Sequence, residues 1–208
     1  MTTSARPATA RPAAAAPATG RLAAAAPATG RLATGRPATP GRPATGIEVR
    51  AIDHEVAGQL RLADDAGAPP RLVTDDAGGS PLRCCLRRSA PGERIALVSY
   101  APLRRWARET GADPGPYDEV GPVFICRERC AGWAGRGFPA ELAGSPRMLR
   151  AYAADGRILY GRLMAADETS DETAVIRVMR EVLADPRAAL VHARAVEFGC
   201  FTFEVRRH

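Results

Sequence analysis

The sequence predicts an α+β fold: a mostly antiparallel sheet with one long helix, about 170–184, packed on a face, behind a disordered N-terminal tail. Three observations carry this expectation. Strand-like runs joined by hairpin turns outnumber strand–helix–strand crossovers. Val175, Val178, Met179, Val182 and Leu183 recur at i, i+3, i+4, i+7 and i+8, which makes one apolar helical stripe. The first 46 residues hold no aromatic side chain and almost nothing to bury.

That tail, 1–46, repeats one phrase, Arg-Pro-Ala or Arg-Leu-Ala followed by Pro-Ala-Thr-Gly. Its prolines remove backbone donors and fix φ, so the alanines cannot build a continuous helix. Leu22 and Leu32 are too few to offset ordering entropy, and a disordered, partly polyproline-like extension follows. Arg6, Arg11, Arg21, Arg31, Arg36 and Arg42 lie there without any Asp or Glu, and these six equal the chain's net charge of +6. Residues 47–208 are therefore electrically balanced, and nucleic acid is disfavoured as a partner. Single scattered arginines attract it only loosely. A dispensable linker fits better, as does a start codon assigned too early in a GC-rich gene, which the absence of lysine matches. No secretory signal is expected, and no apolar run reaches membrane length. Five cysteines without an export signal imply reduced thiols in a cytoplasm.

Residues 47–208 suit a single α+β domain able to bury its own core. Ile47–Ile52 alternates as a first strand, and Asp53 opens a short helix to about Ala63. A strand at Arg71–Thr74 follows Pro69-Pro70, and Asp75–Pro81 is dense in turn residues. Arg83–Arg87 and Arg94–Tyr100 read as paired strands joined by Ser89-Ala90-Pro91-Gly92-Glu93. Leu103–Thr110 is helical, Gly111–Pro116 a loop, and Val123–Arg127 a buried strand. Gly132–Ser145 is irregular but packs down through Trp133 and Phe138. Met148–Ala153 and Arg157–Met164 flank Asp155-Gly156, a dipeptide suited to a type I′ hairpin turn. Thr169 and Glu172 suit a capping box, and Pro186 ends the helix. Ala189–Arg194 and Phe201–Arg206 close the chain, with Phe201, Phe203 and Val205 on one face and Thr202, Glu204 and Arg206 on the other.

Several phrases resemble a bacterial family, the domain of unknown function 1203. They are Arg83-Cys84-Cys85-Leu86 before Pro91-Gly92-Glu93; Tyr117 with Gly121-Pro122-Val123-Phe124-Ile125; Leu149-Arg150-Ala151-Tyr152; and Ala184-Asp185-Pro186-Arg187 leading to His192 and Phe198-Gly199-Cys200. The resemblance spans most of 47–208 and excludes the tail. It implies no activity, cofactor or catalytic residue. Relative to the family's pattern, Ala195 stands where Asn follows His-x-Arg, and Cys126 where His follows Phe-Ile.

The last hairpin carries the most suggestive chemistry. Leu190, His192 and Arg194 share a strand face. Histidine supplies a proton switch near neutral pH, and arginine grips carboxylate or phosphate bidentately. Arg83 and Arg150 join them if strand order allows, with hydroxyls from Tyr100, Tyr117 or Tyr152. The set Arg83, Arg150, His192, Arg194 and Tyr117 suits a small anionic ligand; otherwise His192 is a structural histidine and the arginines face solvent. A nucleophilic Cys200 assisted by His192 is a second arrangement, weakened because Ala195 offers no group to orient the imidazole. Zinc is disfavoured. Cys126 and Cys130 are suitably spaced, but Cys84-Cys85 is vicinal, and strand neighbours point to opposite faces. No phosphate-binding glycine loop is present. The expected function is a small-molecule binding or accessory module for an anion, without a cofactor. The alternative is a small enzyme using His192, with Cys200 for thiol chemistry.

Overall fold

Two five-stranded sheets organise the chain in the computed structural model, which describes residues 46–135 and 137–208. The expected tail lies outside the described residues, apart from Gly46. The elements run β1 (Ile47–Arg50), α1 (His54–Leu60), β2 (Arg71–Asp75), β3 (Pro81–Leu82), β4 (Arg87–Arg88), β5 (Glu93–Tyr100) and α2 (Pro102–Thr110). They continue with β6 (Gly121–Cys126), β7 (Arg147–Ala153), β8 (Ile158–Met164), α3 (Ala166–Ser170), α4 (Glu172–Ala184), β9 (Ala188–Ala195) and β10 (Phe201–Arg207). Mixed helix and antiparallel sheet is what the sequence implies, but the strands divide between two sheets. None of the described helices is long and apolar enough to cross a membrane.

The first sheet is antiparallel throughout, in the order β1-β10-β9-β7-β8. One face is covered by α4, whose Val175, Val178, Met179, Val182 and Leu183 are all buried. They pack with Leu149, Ala151, Val191, Ala193, Phe203 and Val205 in one apolar cluster. Full burial of each such side chain contributes about 1.5–3 kcal/mol. The helix begins at Glu172, close to the expected start at about 170, but with a different cap. Asp171 is the N-cap, accepting from the Thr173 N–H at 2.8 Å, and 166–170 form the separate α3. Thr169 makes no capping box. Its buried hydroxyl donates to the carbonyls of Ser145 and Ala166, both at 3.0 Å.

The second sheet runs β2-β5-β6-β3-β4 and contains one parallel pair, β3 with β6. Here the sequence reading needs correction. β5 pairs with β2 and β6, not with a strand over 83–87. Residues 83–86 form a turn held by Leu86 N–H to Leu82 O at 2.8 Å, with Leu86 at φ 55°. The Pro91-Gly92 loop is a turn as expected, but it joins the short β4 to β5.

The last hairpin also departs from simple alternation. A register shift between Phe201 and Phe203 inserts a bulge, which puts Phe201 on the opposite face from Phe203. Phe203 meets Phe138 at 6.0 Å on the α4 side, whereas Phe201 meets Tyr100 at 5.3 Å. The face away from α4 thus carries Arg150, Tyr152, Leu190, His192, Arg194 and Glu204. Its Tyr152 and Leu190 end packs under Leu103, Trp106 and Ala107, the cluster that includes α2. The β7–β8 hairpin turns at Asp155-Gly156 as the dipeptide suggests, but the turn is not type I′: Gly156 has φ 89°, whereas Asp155 keeps a negative φ.

Candidate functional site

Strand register brings Arg150, His192 and Glu204 side by side on β7, β9 and β10. His192 is fully buried, with its ring 4.7 Å from Tyr152 and 5.2 Å from Phe201. Neither ring nitrogen has a hydrogen-bond partner among the described residues. Its nearest carboxylate is Glu204, Nε2 to Oε2 at 3.6 Å. Burial pushes His192 below its ordinary pKa despite Glu204, so the imidazole is neutral at neutral pH. Burial alone would raise Glu204, but His192 and Arg206 outweigh it and leave the carboxyl below its ordinary value. Arg206 donates through Nε to Glu204 Oε1.

Arg194 and Arg150 converge on one carboxylate. Arg194 Nη2 lies 2.7 Å from Glu119 Oε2, and Arg150 Nη1 donates to Glu119 Oε1. Arg194 also donates to Gly199 O at 2.9 Å and to the Tyr152 hydroxyl at 3.4 Å. Tyr117 closes a 3-10 turn two residues before Glu119 and is exposed. Arg83 lies elsewhere. It is 5% exposed, donates to Phe201 O at 2.9 Å and to Pro81 O, and has no acidic partner among the described residues. Burial pulls its guanidinium down to about 10. Cys200 donates to Phe198 O at 3.6 Å, so no hydrogen bond joins its thiol to His192. Of the expected constellation, Arg150, His192 and Arg194 meet on one face, while Arg83, Tyr117 and Cys200 make other contacts.

The cysteines depart furthest from expectation. The sulfurs of Cys84, Cys85, Cys126 and Cys130 all lie within 4.8 Å of one another. Cys84 and Cys130 are 3.5 Å apart, and Cys85 and Cys126 3.6 Å. The objection to the vicinal pair assumed a strand, and the 83–86 turn removes it. The Cys126 N–H donates to the Cys84 sulfur at 3.2 Å, and Arg87 Nη2 reaches the Cys126 sulfur at 3.6 Å. Hydrogen bonding from Cys126 and Cys84 pulls Cys85 down, while sharing with Cys126 and Cys85 pushes Cys84 up. Cys84, Cys85 and Cys126 therefore titrate together rather than singly.

A cleft of about 750 Å³ opens beside this cluster. Tyr100, Trp106 and Trp133 form part of its wall, Glu204 and Arg206 lie on the β10 side, and Arg50 stands on β1. Cys84 and Cys130 reach it too. A smaller cavity of about 150 Å³ adjoins Arg194, Glu119 and Cys200. Sequence reasoning missed Glu204 and Glu119. Glu204 was visible only as an outward position of an alternating strand, and nothing local marked Glu119.

A family model described as a protein of unknown function, DUF1203, matches residues 79–207. The chain belongs to this family. The DUF1203 match takes in the cysteine cluster, the Arg150–Glu119–Arg194 fork and the His192–Glu204 pair, and begins after β1 and α1. No curated protein matches the chain, and no solved structure does.

Proposed function

We propose that this DUF1203 protein is a small-molecule binding module whose ligand carries an anionic group and occupies the 750 Å³ cleft. The observation that carries the reading is the cleft itself. Its volume is that of a ligand pocket, part of its wall is aromatic, and four arginines and five carboxylates line it. The cations that meet the anion are not the ones the sequence suggested. Arg150 and Arg194 already share Glu119. Arg50 is 42% exposed and only loosely paired, at 3.5 Å to Glu48 and 3.9 Å to Glu204. Arg129 is exposed and makes no ion pair among the described residues. Both line the cleft. The Glu204 carboxylate, the cross-strand neighbour of Arg50, accepts from a hydroxyl or ammonium of the same ligand.

Binding is better supported than acid–base or thiol chemistry. His192 is enclosed and neutral behind Glu204, and no hydrogen bond links it to Cys200. A domain over 47–208, acting in the cytoplasm, is part of the same reading.

Thermal unfolding of the purified protein against a panel of small carboxylates, phosphates and amino acids tests it. A ligand stabilises the native state by mass action, so at least one class raises Tm with concentration. The double variant Arg50→Ala, Arg129→Ala abolishes that rise and Arg194→Ala does not. The reading fails if the whole panel leaves Tm unchanged, or if the rise survives in the double variant.

A further inference from the structure

The cysteine cluster supports an inference independent of the cleft's ligand. Two chain segments, 84–85 and 126–130, deliver four sulfurs to within 4.8 Å of one another. In a tetrahedral zinc site with metal–sulfur bonds of about 2.3 Å, the sulfurs stand about 3.8 Å apart. The pairs at 3.5 and 3.6 Å match that edge. Ordinary buried cysteines need no such convergence, because a thiol packs as a small hydrophobe against any apolar neighbour.

Three further features point the same way. Leu86 is the one non-glycine residue with positive φ among the described residues, and it closes the turn that aims both vicinal thiols together. A backbone in that region persists only where its surroundings fix it. Next, N–H donors reach two of the sulfurs: the Cys126 N–H on Cys84 and the Arg87 guanidinium on Cys126. Such donors stabilise thiolates far more than thiols. Finally, Cys130 sits in a stretch without helix or strand, and its sulfur contact to Cys84 ties that stretch to the 83–86 turn.

We propose that Cys84, Cys85, Cys126 and Cys130 form a tetrahedral four-thiolate zinc centre. Loading exchanges protons for metal: four Cys–SH and one Zn²⁺ give a Zn(S-Cys)₄ unit of charge −2 and four H⁺. No electron is transferred. Arg87 offsets part of that charge while also holding Glu93 through two bonds, at 2.8 and 2.6 Å. Four protein ligands leave no position for water or substrate, so the centre is structural. Its role is to staple the 83–86 turn to the segment from Cys126 to Cys130, just before Trp133 at the cleft wall. Cys85 and Cys130 are only partly buried, which gives the metal a way in.

Elemental analysis of the full chain, purified under reducing conditions without added metal, tests the proposal. About one zinc per chain is expected, with chelator lowering Tm and added zinc restoring it. Cys130→Ser, which changes a partly buried ligand outside any regular element, loses the zinc, whereas Cys200→Ser keeps it. Reconstitution with Co²⁺ gives the intense visible bands of tetrahedral thiolate ligation. Less than about 0.2 zinc per chain, with no Tm response to added zinc, overturns the proposal. So do disulfides among the four residues in freshly purified protein, iron in place of zinc, or full zinc content in Cys130→Ser.

Discussion

His192 and Glu204 face each other across β9 and β10, with Nε2 3.6 Å from Oε2. Burial lowers the imidazole's pKa, Glu204 opposes this, and Arg194 and Arg150 add to the lowering. Tyr152 and Phe201 supply the apolar enclosure. The unfolded chain therefore protonates His192 at a pH where the folded protein does not, and stability falls as pH drops below 6.5. Glu204 acts in the same sense lower down. Its stabilisation is complete above 4.5 and is lost as pH falls through its lowered folded value.

Acid destabilisation in two stages is the expected outcome, the first reaching up to about 1.4 kcal/mol per pH unit. His192→Phe keeps a ring between Tyr152 and Phe201 and removes the first stage. Urea denaturation at about pH 7 and pH 5 measures the difference. Equal pH dependence in variant and wild type would count against a neutral, buried imidazole.

Glu119 neutralises two cations at once, and its loss leaves Arg150 and Arg194 facing each other unpaired. The Arg194 side chain is only 9% exposed, so water cannot replace the carboxylate fully. Glu119→Ala should cost about 1–3 kcal/mol, toward the lower end because Glu119 is partly solvated. It also creates the anion site that the arginine pattern suggests, so phosphate or sulfate should recover part of the loss. Denaturation with and without phosphate decides this. Unchanged stability together with no response to phosphate would mean that the fork holds no net cation.

Local periodicity carried what was legible. The α4 stripe could be read because one face of a helix meets one face of a sheet, and the Asp155-Gly156 turn because its chemistry is local. What failed depended on partners distant in sequence. Arg83-Cys84-Cys85-Leu86 looks strand-like until Leu86 is seen at positive φ, and that residue alone separated a dismissed vicinal pair from a four-sulfur cluster. Alternation puts Phe201 on the face of Phe203, and the bulge that turns it to the other face leaves no mark on the pattern. Residue type alone groups Arg83 with Arg150, yet Arg83 donates to the carbonyls of Phe201 and Pro81. Strand order, invisible from one sequence, decided which arginines met.

Arg207 closes α4 from another element. Its Nε and Nη2 donate to Leu183 O at 3.0 and 2.5 Å, Nη2 also to Asp185 O at 2.8 Å, and Nη1 to Ala188 O at 2.7 Å. The last carbonyls of a helix have no partner within it and carry its negative end, so a guanidinium there satisfies both needs. No basic residue lies in the last turn of α4 itself, which leaves this role to β10. Arg207→Ala should destabilise the protein by about 1–2 kcal/mol, since water replaces only part of the network. Arg207→Lys should recover less than half, because an ammonium cannot span three carbonyls as a planar fork does. Amide exchange in the last turn of α4 and in the 185–188 turn should quicken in the alanine variant while the β7–β9 ladder stays protected. Uniform quickening across both would show that Arg207 supports the whole fold rather than this helix end.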